Sequence, residues 1–382
     1  MYFIVLCCQT TLAQNIAKTY EFTDEIVIPH TSIKDQGYSG TCWAFATISM
    51  IESEMMSSGT KEELSEMYVV AKSYEKKVEN YIRMHGNLEI SQGGEFDDVL
   101  KAIGENGIVR RREYKSKGLI NHTELEKDIL SCAKYYVEQY DKRLSPLPHW
   151  RDSVRHIVEK HLGVCPQKTT AEDGNEQTPQ EFSQKVVGFD ADDYVWLCSF
   201  THHDFYKPFV LEVPDNWLMS TAYNVPLDEY VAVVDSSLSK GYSIAASVDI
   251  TELSISCMEG IGVLPDADNM TSEEKKAYEE ANALNFISNR LASERSISPV
   301  MQSERQAAFD NYKFTDDHAM HIVGTAHDKL GRPYYKLKNS WGSSMGIHGY
   351  VYLSKPYFAY RSISMLVNKK ALPQSIKRKL GI

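Results

Sequence analysis

The sequence predicts an α+β fold with two lobes, in which a helical lobe comes first and an antiparallel, barrel-like sheet lobe follows. Three observations lead to this class. The first third contains apolar helical stretches separated by glycine-bearing loops, and the middle changes to charged helical stretches. The last third alternates apolar and polar residues, as strands do. At 382 residues the chain is longer than a typical single domain, so either two lobes or two domains are expected.

The composition excludes several classes of function. The formal net charge is −11, whereas nucleic-acid binders usually carry a basic face, so we expect no nucleic-acid partner. No stretch is apolar over the roughly 20 residues that a membrane helix requires, so we expect no membrane partner. The seven cysteines have no spacing typical of a metal site or a disulfide framework. His202-His203-Asp204 invites a metal, but no second ligand cluster follows, and we expect neither metal nor cofactor.

The first 13 residues form a short apolar run that ends in Thr11-Leu12-Ala13, which is similar to a small-x-small cleavage site. We interpret residues 1–13 as a signal peptide and expect a periplasmic or secreted protein. The run lacks the basic residues that usually precede such a segment. A truncated start and an ordinary buried strand therefore stay open as alternatives, as does a cytoplasmic location.

The candidate nucleophile is Cys42, which lies where a predicted loop meets a predicted helix. Small residues between Gln36 and Cys42 favour the loop, and the apolar stretch 43–56 favours a helix that stops at Gly59. The N–H groups and the partial positive charge of a helix N-terminus favour a thiolate over a thiol. The Gln36 amide and the Cys42 N–H would make two donors for an oxyanion. The alternative is a buried, inert cysteine at the start of a core helix.

The remaining helical part contains a pair of glycines, Gly93 and Gly94, ahead of a further helix. Paired glycines let another backbone come close, although a turn followed by a helix cap explains them as well. The predicted organisation is a helical lobe at 14–114, a helical insertion at 115–236, a sheet lobe at 237–368 that an acidic helical stretch at 271–310 interrupts, and a C-terminal tail at 369–382.

Two late residues complete the chemistry that a nucleophilic cysteine needs. Cysteine-based acyl transfer requires a base near the sulfur and a group that fixes the tautomer of that base. His318 follows two aspartates at a strand entry, and Asn339 ends a neighbouring strand. An asparagine oxygen that accepts from the imidazole, under the indole of Trp341, would hold the ring and keep water away. Each residue alone is typical of structure, but the order Gln, Cys, His, Asn is much rarer.

The sequence resembles the papain-like cysteine peptidases, and more closely their bleomycin hydrolase and aminopeptidase C branch. The matching segments are Gln36 to Phe45, Ile51-Glu52, Leu64-Ser65-Glu66, Gly93-Gly94, His318-Ala319-Met320 and Lys338 to Gly342. The resemblance implies the papain-like two-lobed fold and a peptide substrate. It makes Cys42 the nucleophile, His318 the base and acid, Asn339 the group that orients His318, and Gln36 the oxyanion donor.

The same resemblance implies substrate contacts and a cellular context. Gly93 and Gly94 would pair with the substrate backbone, Ala319 would line the pocket beside the cleaved bond, and Trp341 would belong to the substrate side of the site. Ser39 and Ser91 stand where secreted relatives carry a disulfide. Because both partners are missing together, the chain matches the branch, whose members are usually intracellular. The signal-like N-terminus conflicts with this unless the protein is an exported bacterial member, which we favour.

Members of the branch typically form a hexameric ring in which the C-terminus lies in the cleft and limits cleavage to free N-termini. We therefore expect a homo-oligomer and an aminopeptidase. About 13 residues follow the last predicted strand, and they would span roughly 40 Å if extended. However, the stretch 372–380 is typical of a short basic helix, which would reach less far and could dock on an acidic neighbour. A papain-like endopeptidase and a non-catalytic binding protein on the same fold are the alternatives.

Overall fold

The computed structural model describes residues 20–116, 120–142, 149–171, 174–252, 254–266, 271–272, 276 and 294–382. The signal peptide predicted at residues 1–13 lies outside the described residues. So do 273–275 and 277–293, which make up half of the acidic stretch predicted at 271–310. The end of that stretch is described and is helical, as predicted, at Pro299–Asp310.

Helices dominate the first half of the chain and the longer strands lie in the second half, so the predicted α+β class is confirmed. Among the described residues the helices are α1 (Cys42–Ser57), α2 (Glu66–Arg83), α3 (Phe96–Asn106), α4 (Thr123–Asp141), α5 (Trp150–Leu162), α6 (Pro179–Phe182), α7 (Leu227–Ser239), α8 (Pro299–Asp310), α9 (Lys355–Arg361) and α10 (Gln374–Leu380). The strands are β1 (Thr23–Val27), β2 (Thr169–Thr170), β3 (Glu176–Gln177), β4 (Tyr194–Cys198), β5 (Pro208–Val210), β6 (Thr221–Asn224), β7 (Ile244–Val248), β8 (Ile255–Ser256), β9 (Ile261–Gly262), β10 (His318–His327), β11 (Pro333–Lys338), β12 (Tyr350–Ser354) and β13 (Ser362–Asn368). In the part of the chain that is described, no helix is both long enough and apolar enough to cross a membrane.

The chain divides into two compact units, which we call the helical unit and the sheet unit. The helical unit comprises Asp35–Trp196 and Pro208–Ala222. The sheet unit comprises the described residues up to Lys34, together with Leu197–Lys207 and Tyr223–Ile382. The segment before Asp35 belongs to the sheet unit because β1 pairs antiparallel with β10.

In the helical unit, α1 is buried along almost its whole length, which fits its apolar residues on more than one stripe. Each of its two glutamates accepts a hydrogen bond inside the same unit. Glu52 is fully buried, and its Oε1 accepts the backbone N–H of Leu64 at 2.7 Å. Glu54 accepts the hydroxyl of Tyr194 at 2.8 Å. These bonds offset the desolvation of the two carboxylates and hold α1 rigidly in place.

The sheet unit is built around β10, which pairs antiparallel with β7 on one side and β11 on the other. Nine of the ten residues of β10 are buried, as expected for a central strand. From β13 the strand order continues β7, β10, β11, β12, β9 and β8. Among the described residues this path is open, so the lobe is a continuous sheet and not a closed barrel.

The C-terminal tail ends in a helix, α10, and the predicted basic helix is therefore confirmed. The tail is fastened to α7 of the same unit. The ammonium of Lys240 donates to the carbonyls of Ala371 and Leu372, at 2.9 and 3.0 Å. Lys379 on α10 forms an ion pair with Glu229 on α7. The tail thus docks on an acidic neighbour, which is the second of the two conformations considered above.

Candidate active site

Cys42 is the first residue of α1, as the sequence predicted, and it is half-buried. The loop before it is closed by its own polar groups. The N–H of Gly37 donates to Asp35 Oδ1 at 2.8 Å, and Ser39 Oγ donates to the carbonyl of Gln36 at 2.7 Å. Gly37 has a φ of +60°, a conformation that favours glycine. The loop therefore presents the thiol at the positive end of a long buried helix.

Gln36 is buried and forms part of this loop. Its Nε2 donates to the carbonyl of Ser39 at 2.6 Å. A carboxamide nitrogen carries two hydrogens, and this bond uses one of them. The bond holds the Gln36 side chain against Ser39, three residues before the helix of the nucleophile begins. The role of Gln36 as an oxyanion donor stays a prediction.

Gln92, which the sequence reasoning missed, ties the nucleophile loop to the glycine pair. Its Oε1 accepts the N–H of Gly40 at 2.9 Å, and its carbonyl accepts the indole N–H of Trp43 at 3.1 Å. Its Nε2 donates to Glu126 on α4 at 2.8 Å. Since Gly40 and Trp43 flank Cys42, these bonds hold the glycine pair beside the thiol. The only sequence feature that could have indicated this role is that Gln92 stands directly before Gly93 and Gly94.

Both glycines are closely packed by side chains of the helical unit. A Cβ on Gly93 would overlap the carboxylate of Asp215. A Cβ on Gly94 would lie 2.8 Å from Asp98 Oδ2 and 3.0 Å from the ring of Trp43. The close packing that the sequence allowed for is therefore present within the helical unit, and the predicted pairing with substrate stays a prediction.

A buried cation, Lys77 on α2, supports the glycine pair from behind. Its ammonium donates to the carbonyls of Ser91, at 2.9 Å, and of Gly93. It also lies within 6 Å of three aromatic ring centres, those of Trp43, Tyr74 and Trp217. Burial lowers the pKa of Lys77 and raises the pKa of the neighbouring Asp98 carboxyl. No sequence pattern indicates this role, because Lys77 directly follows Lys76, an ordinary surface lysine in the same helix.

In the sheet unit, strand register places the predicted base and its partner on one face. His321 in β10 is opposite Lys338 in β11. This is the last pair of the ladder. Extending the same antiparallel count beyond it places His318 opposite Trp341 and Met320 opposite Asn339. Directly opposed residues, and residues two apart in one strand, project from the same face of a sheet. His318, Asn339 and Trp341 are therefore neighbours, as predicted.

The hydrogen bond between His318 and Asn339 fixes the tautomer of the imidazole. His318 Nε2 lies 2.7 Å from Asn339 Oδ1, and the same oxygen accepts the backbone N–H of Ser340 at 2.8 Å. Because a backbone N–H can only donate, this atom of Asn339 is the oxygen, and Nε2 must carry a hydrogen. The lone pair of the neutral ring then lies on Nδ1.

The surroundings of His318 keep its ring neutral. Burial lowers the pKa of His318 to about 4, and the hydrogen bond that His318 donates to Asn339 opposes this only in part. The ring centre of Trp341 lies 4.5 Å from that of His318, so the indole covers the imidazole. At neutral pH the sheet unit therefore offers an uncharged, oriented imidazole with a basic Nδ1.

Ala319 follows His318 in β10 and is buried opposite Ser247 of β7. The hydroxyl of Ser247 donates to Asp316, which pins the entry of the strand. Burial and the nearby Asp249 raise the pKa of Asp317 to about 7. The strand entry before the imidazole is thus well fastened, and the role of Ala319 in lining a pocket stays a prediction.

The predicted residues fall into two groups, one in each unit. The helical unit holds Gln36, Cys42, Gly93 and Gly94, and the sheet unit holds His318, Ala319, Asn339 and Trp341. The first group supplies a thiol at a helix N-terminus beside a glycine pair. The second supplies a base whose tautomer is fixed. These are the two components of cysteine-based acyl transfer.

Two family profiles match separate parts of the chain, and each part contains one of the two groups. Residues 17–165 match the profile of the papain family cysteine proteases, and this match contains the first group. Residues 293–381 match the profile of the peptidase C1-like family, and this match contains the second group. Together the two matches cover more than half of the chain.

The chain is also similar to characterised bacterial proteins over almost its full length. Aminopeptidase C of Lactobacillus delbrueckii subsp. lactis is 23% identical, with 93% of this chain and 83% of that protein covered. Aminopeptidase E of Lactobacillus helveticus is 22% identical, with 91% and 83% covered. The crystal structure of PepW from Lactobacillus rhamnosis has a TM-score of 0.71 at 20% identity, with 94% of this chain and 84% of that chain covered, so the fold is shared. The chain belongs to the papain family of cysteine peptidases.

Proposed function

We propose that this protein is a cysteine aminopeptidase of the bleomycin hydrolase and aminopeptidase C branch, in which Cys42 and His318 act together. The hydrogen bond between His318 and Asn339 carries the proposal. It leaves the lone pair on Nδ1, where an imidazole can accept the proton of a thiol. The relatives that this chain matches over more than 80% of their own length are named aminopeptidases. These names support the choice of peptides with a free N-terminus as substrates.

The reaction begins with transfer of the Cys42 proton to His318 Nδ1. The thiolate attacks the carbonyl carbon, and the C–O π electrons move onto oxygen, which accepts hydrogen bonds from the Gln36 amide and the Cys42 N–H. The C–N bond then breaks as the imidazolium protonates the leaving amine. Water, deprotonated by His318, attacks the thioester, and the acid product and the thiol are released. Asn339 holds the ring throughout.

The decisive experiment offers one peptide in two forms, with a free and with an acetylated N-terminus. The wild-type protein should cleave only the free form, and Cys42→Ala should cleave neither while its melting temperature is unchanged. Cleavage of both forms at equal rates would identify an endopeptidase. Binding without cleavage would identify a non-catalytic member of the family, and turnover by Cys42→Ala would remove Cys42 from its role.

The homo-oligomer that the resemblance implies is part of this proposal. Sedimentation equilibrium of the full chain tests it, and a monomer at micromolar concentration would contradict it.

A further inference from the structure

An aminopeptidase must recognise a positive α-ammonium group, and the helical unit contains a carboxylate in a suitable place. Asp215 belongs to the segment Pro208–Ala222, which returns to the helical unit from a distant part of the sequence. The segment is folded tightly by Asn216. The buried side chain of Asn216 donates to the carbonyls of Leu211 and Ser220, at 2.8 and 2.9 Å, and accepts the N–H of Ser220 at 2.9 Å. Asp215 is thus held by a rigid turn.

Further contacts fasten this turn to the helices on either side of the glycine pair. The ammonium of Lys101 on α3 donates to the hydroxyl of Ser220 at 2.8 Å. Asn80 on α2 donates to the carbonyl of Trp217 at 3.3 Å, and the Trp217 ring covers the Lys77 ammonium. The turn therefore cannot move far from the glycine pair.

The carboxylate of Asp215 lies directly on the glycine pair. Its atoms occupy the space where a Cβ of Gly93 would stand, and Oδ1 accepts the hydroxyl of Ser91 at 3.0 Å. The backbone nitrogen of Gly93 is in turn 3.7 Å from the Cβ position of Gly40, two residues before Cys42. These contacts limit the distance between the carboxylate and the Cys42 backbone to roughly 15 Å, the span of at most about four extended residues.

We propose that Asp215 is the specificity-determining residue that binds the α-ammonium group of the substrate, and this inference rests on the proposed function. A peptide lying along Gly93 and Gly94 would meet the carboxylate with its N-terminal end. A free ammonium group gains a charge-assisted hydrogen bond there. An acetylated or longer chain brings an uncharged amide and additional bulk against the same carboxylate, and binds less well.

The local charges are consistent with this role. The half-buried carboxylate is partly shielded from water, which strengthens its interaction with a cation. The nearby Lys77 ammonium already donates to the carbonyls of Ser91 and Gly93, and it is enclosed by aromatic rings. Lys77 therefore orients the backbone under Asp215.

The test compares Asp215→Asn with the wild-type protein on an aminoacyl and a dipeptidyl fluorogenic amide, each with a free and an acetylated N-terminus. The ratio of kcat/KM for free over acetylated substrate should fall at least tenfold, mainly through a higher KM for the free form. Asp215→Glu should restore part of the ratio. Asp128→Asn is the matched control, because Asp128 is also a partly exposed aspartate of the helical unit, paired with Lys160 at 2.8 Å, and it should leave the ratio unchanged.

A binding measurement separates this inference from the proposed function. In the Cys42→Ala background, calorimetric titration with the free and the acetylated peptide should show a preference for the free form that Asp215→Asn abolishes. If the wild-type protein cleaves the free peptide and Asp215→Asn keeps the full ratio, the inference is wrong and the aminopeptidase assignment stands. If the wild-type protein cleaves nothing, that assignment fails, and the titration alone supports or overturns the role of Asp215. The melting temperatures of all variants confirm that they fold.

Discussion

Replacement of Asn339 by alanine tests the orientation of His318 directly. The change removes one oxygen, and that oxygen accepts two hydrogen bonds, from His318 Nε2 at 2.7 Å and from the N–H of Ser340 at 2.8 Å. Both donors belong to buried residues, and each buried donor without a partner costs about 1–3 kcal/mol. The free energy of unfolding should therefore fall by about 2–6 kcal/mol, with the lower value if water enters the space that the side chain leaves.

The effect on catalysis comes from the His318 bond alone. Without the acceptor, the imidazole can rotate or carry its hydrogen on Nδ1, where it cannot accept the thiol proton. A loss of about 1.4–2.7 kcal/mol in the transition state corresponds to a roughly tenfold to hundredfold lower kcat/KM. The two losses are separable, because the Ser340 bond contributes to stability and has no part in the reaction.

Steady-state kinetics on an aminoacyl fluorogenic amide and urea unfolding of the same preparation measure both quantities. Asn339→Asp is the matched control, because it keeps an oxygen for each donor. It should retain more activity than Asn339→Ala, and its negative charge should raise the pKa of His318. If Asn339→Ala lowers stability but leaves kcat/KM and its pH profile unchanged, then Asn339 does not orient the base.

Three further predictions concern other parts of the structure. The unfolded chain binds a proton at His318 near pH 6.5 and the folded chain near pH 4, so this residue should contribute a fall in the unfolding free energy of about 1.4 kcal/mol per unit as pH drops through this window. His318→Gln should reduce the measured slope by that amount, and an unchanged slope contradicts the burial argument. Lys77→Met should lower the free energy of unfolding in urea by about 3–5 kcal/mol, whereas Lys76→Met, at an exposed site, should lower it by less than about 0.5 kcal/mol. Equal losses in the two variants would refute the supporting role of Lys77. Lys240→Ala should lower the free energy needed to detach the tail by about 2 kcal/mol, so trypsin should cut within Gln374–Leu380 roughly 30-fold faster. An unaltered cutting rate would show that other contacts hold the tail.

The features predictable from the sequence were those with local causes. The loop before Cys42 and the helix that begins there follow from small residues next to an apolar run, and both are present. The helix in the tail was likewise readable from its own composition. His318 and Asn339 were recognised as partners by residue type, but their common face depends on strand register, which one sequence does not specify.

The residues that could not be predicted depend on long-range contacts. Lys77 and Lys76 are adjacent and chemically alike in α2, and only the tertiary structure buries one of them. Asp215 lies more than 120 residues after Gly93 in a proline-bearing stretch, and no local pattern connects the two. Gln92 stood beside a recognised motif, but its bonds to Gly40 and Trp43 cross about 50 residues. Pattern reasoning identifies elements, whereas their contacts follow from packing.

The position of Gln92 has an evolutionary consequence. One carboxamide connects the turn before Cys42 to Glu126, which lies on α4. A mutation on that helix can therefore alter the reactivity of the thiol while Gln36, Cys42, His318 and Asn339 stay the same. Lineages of such enzymes could diverge in rate or substrate preference by exchanging residues on α4, and comparisons restricted to the catalytic motifs would not detect the change.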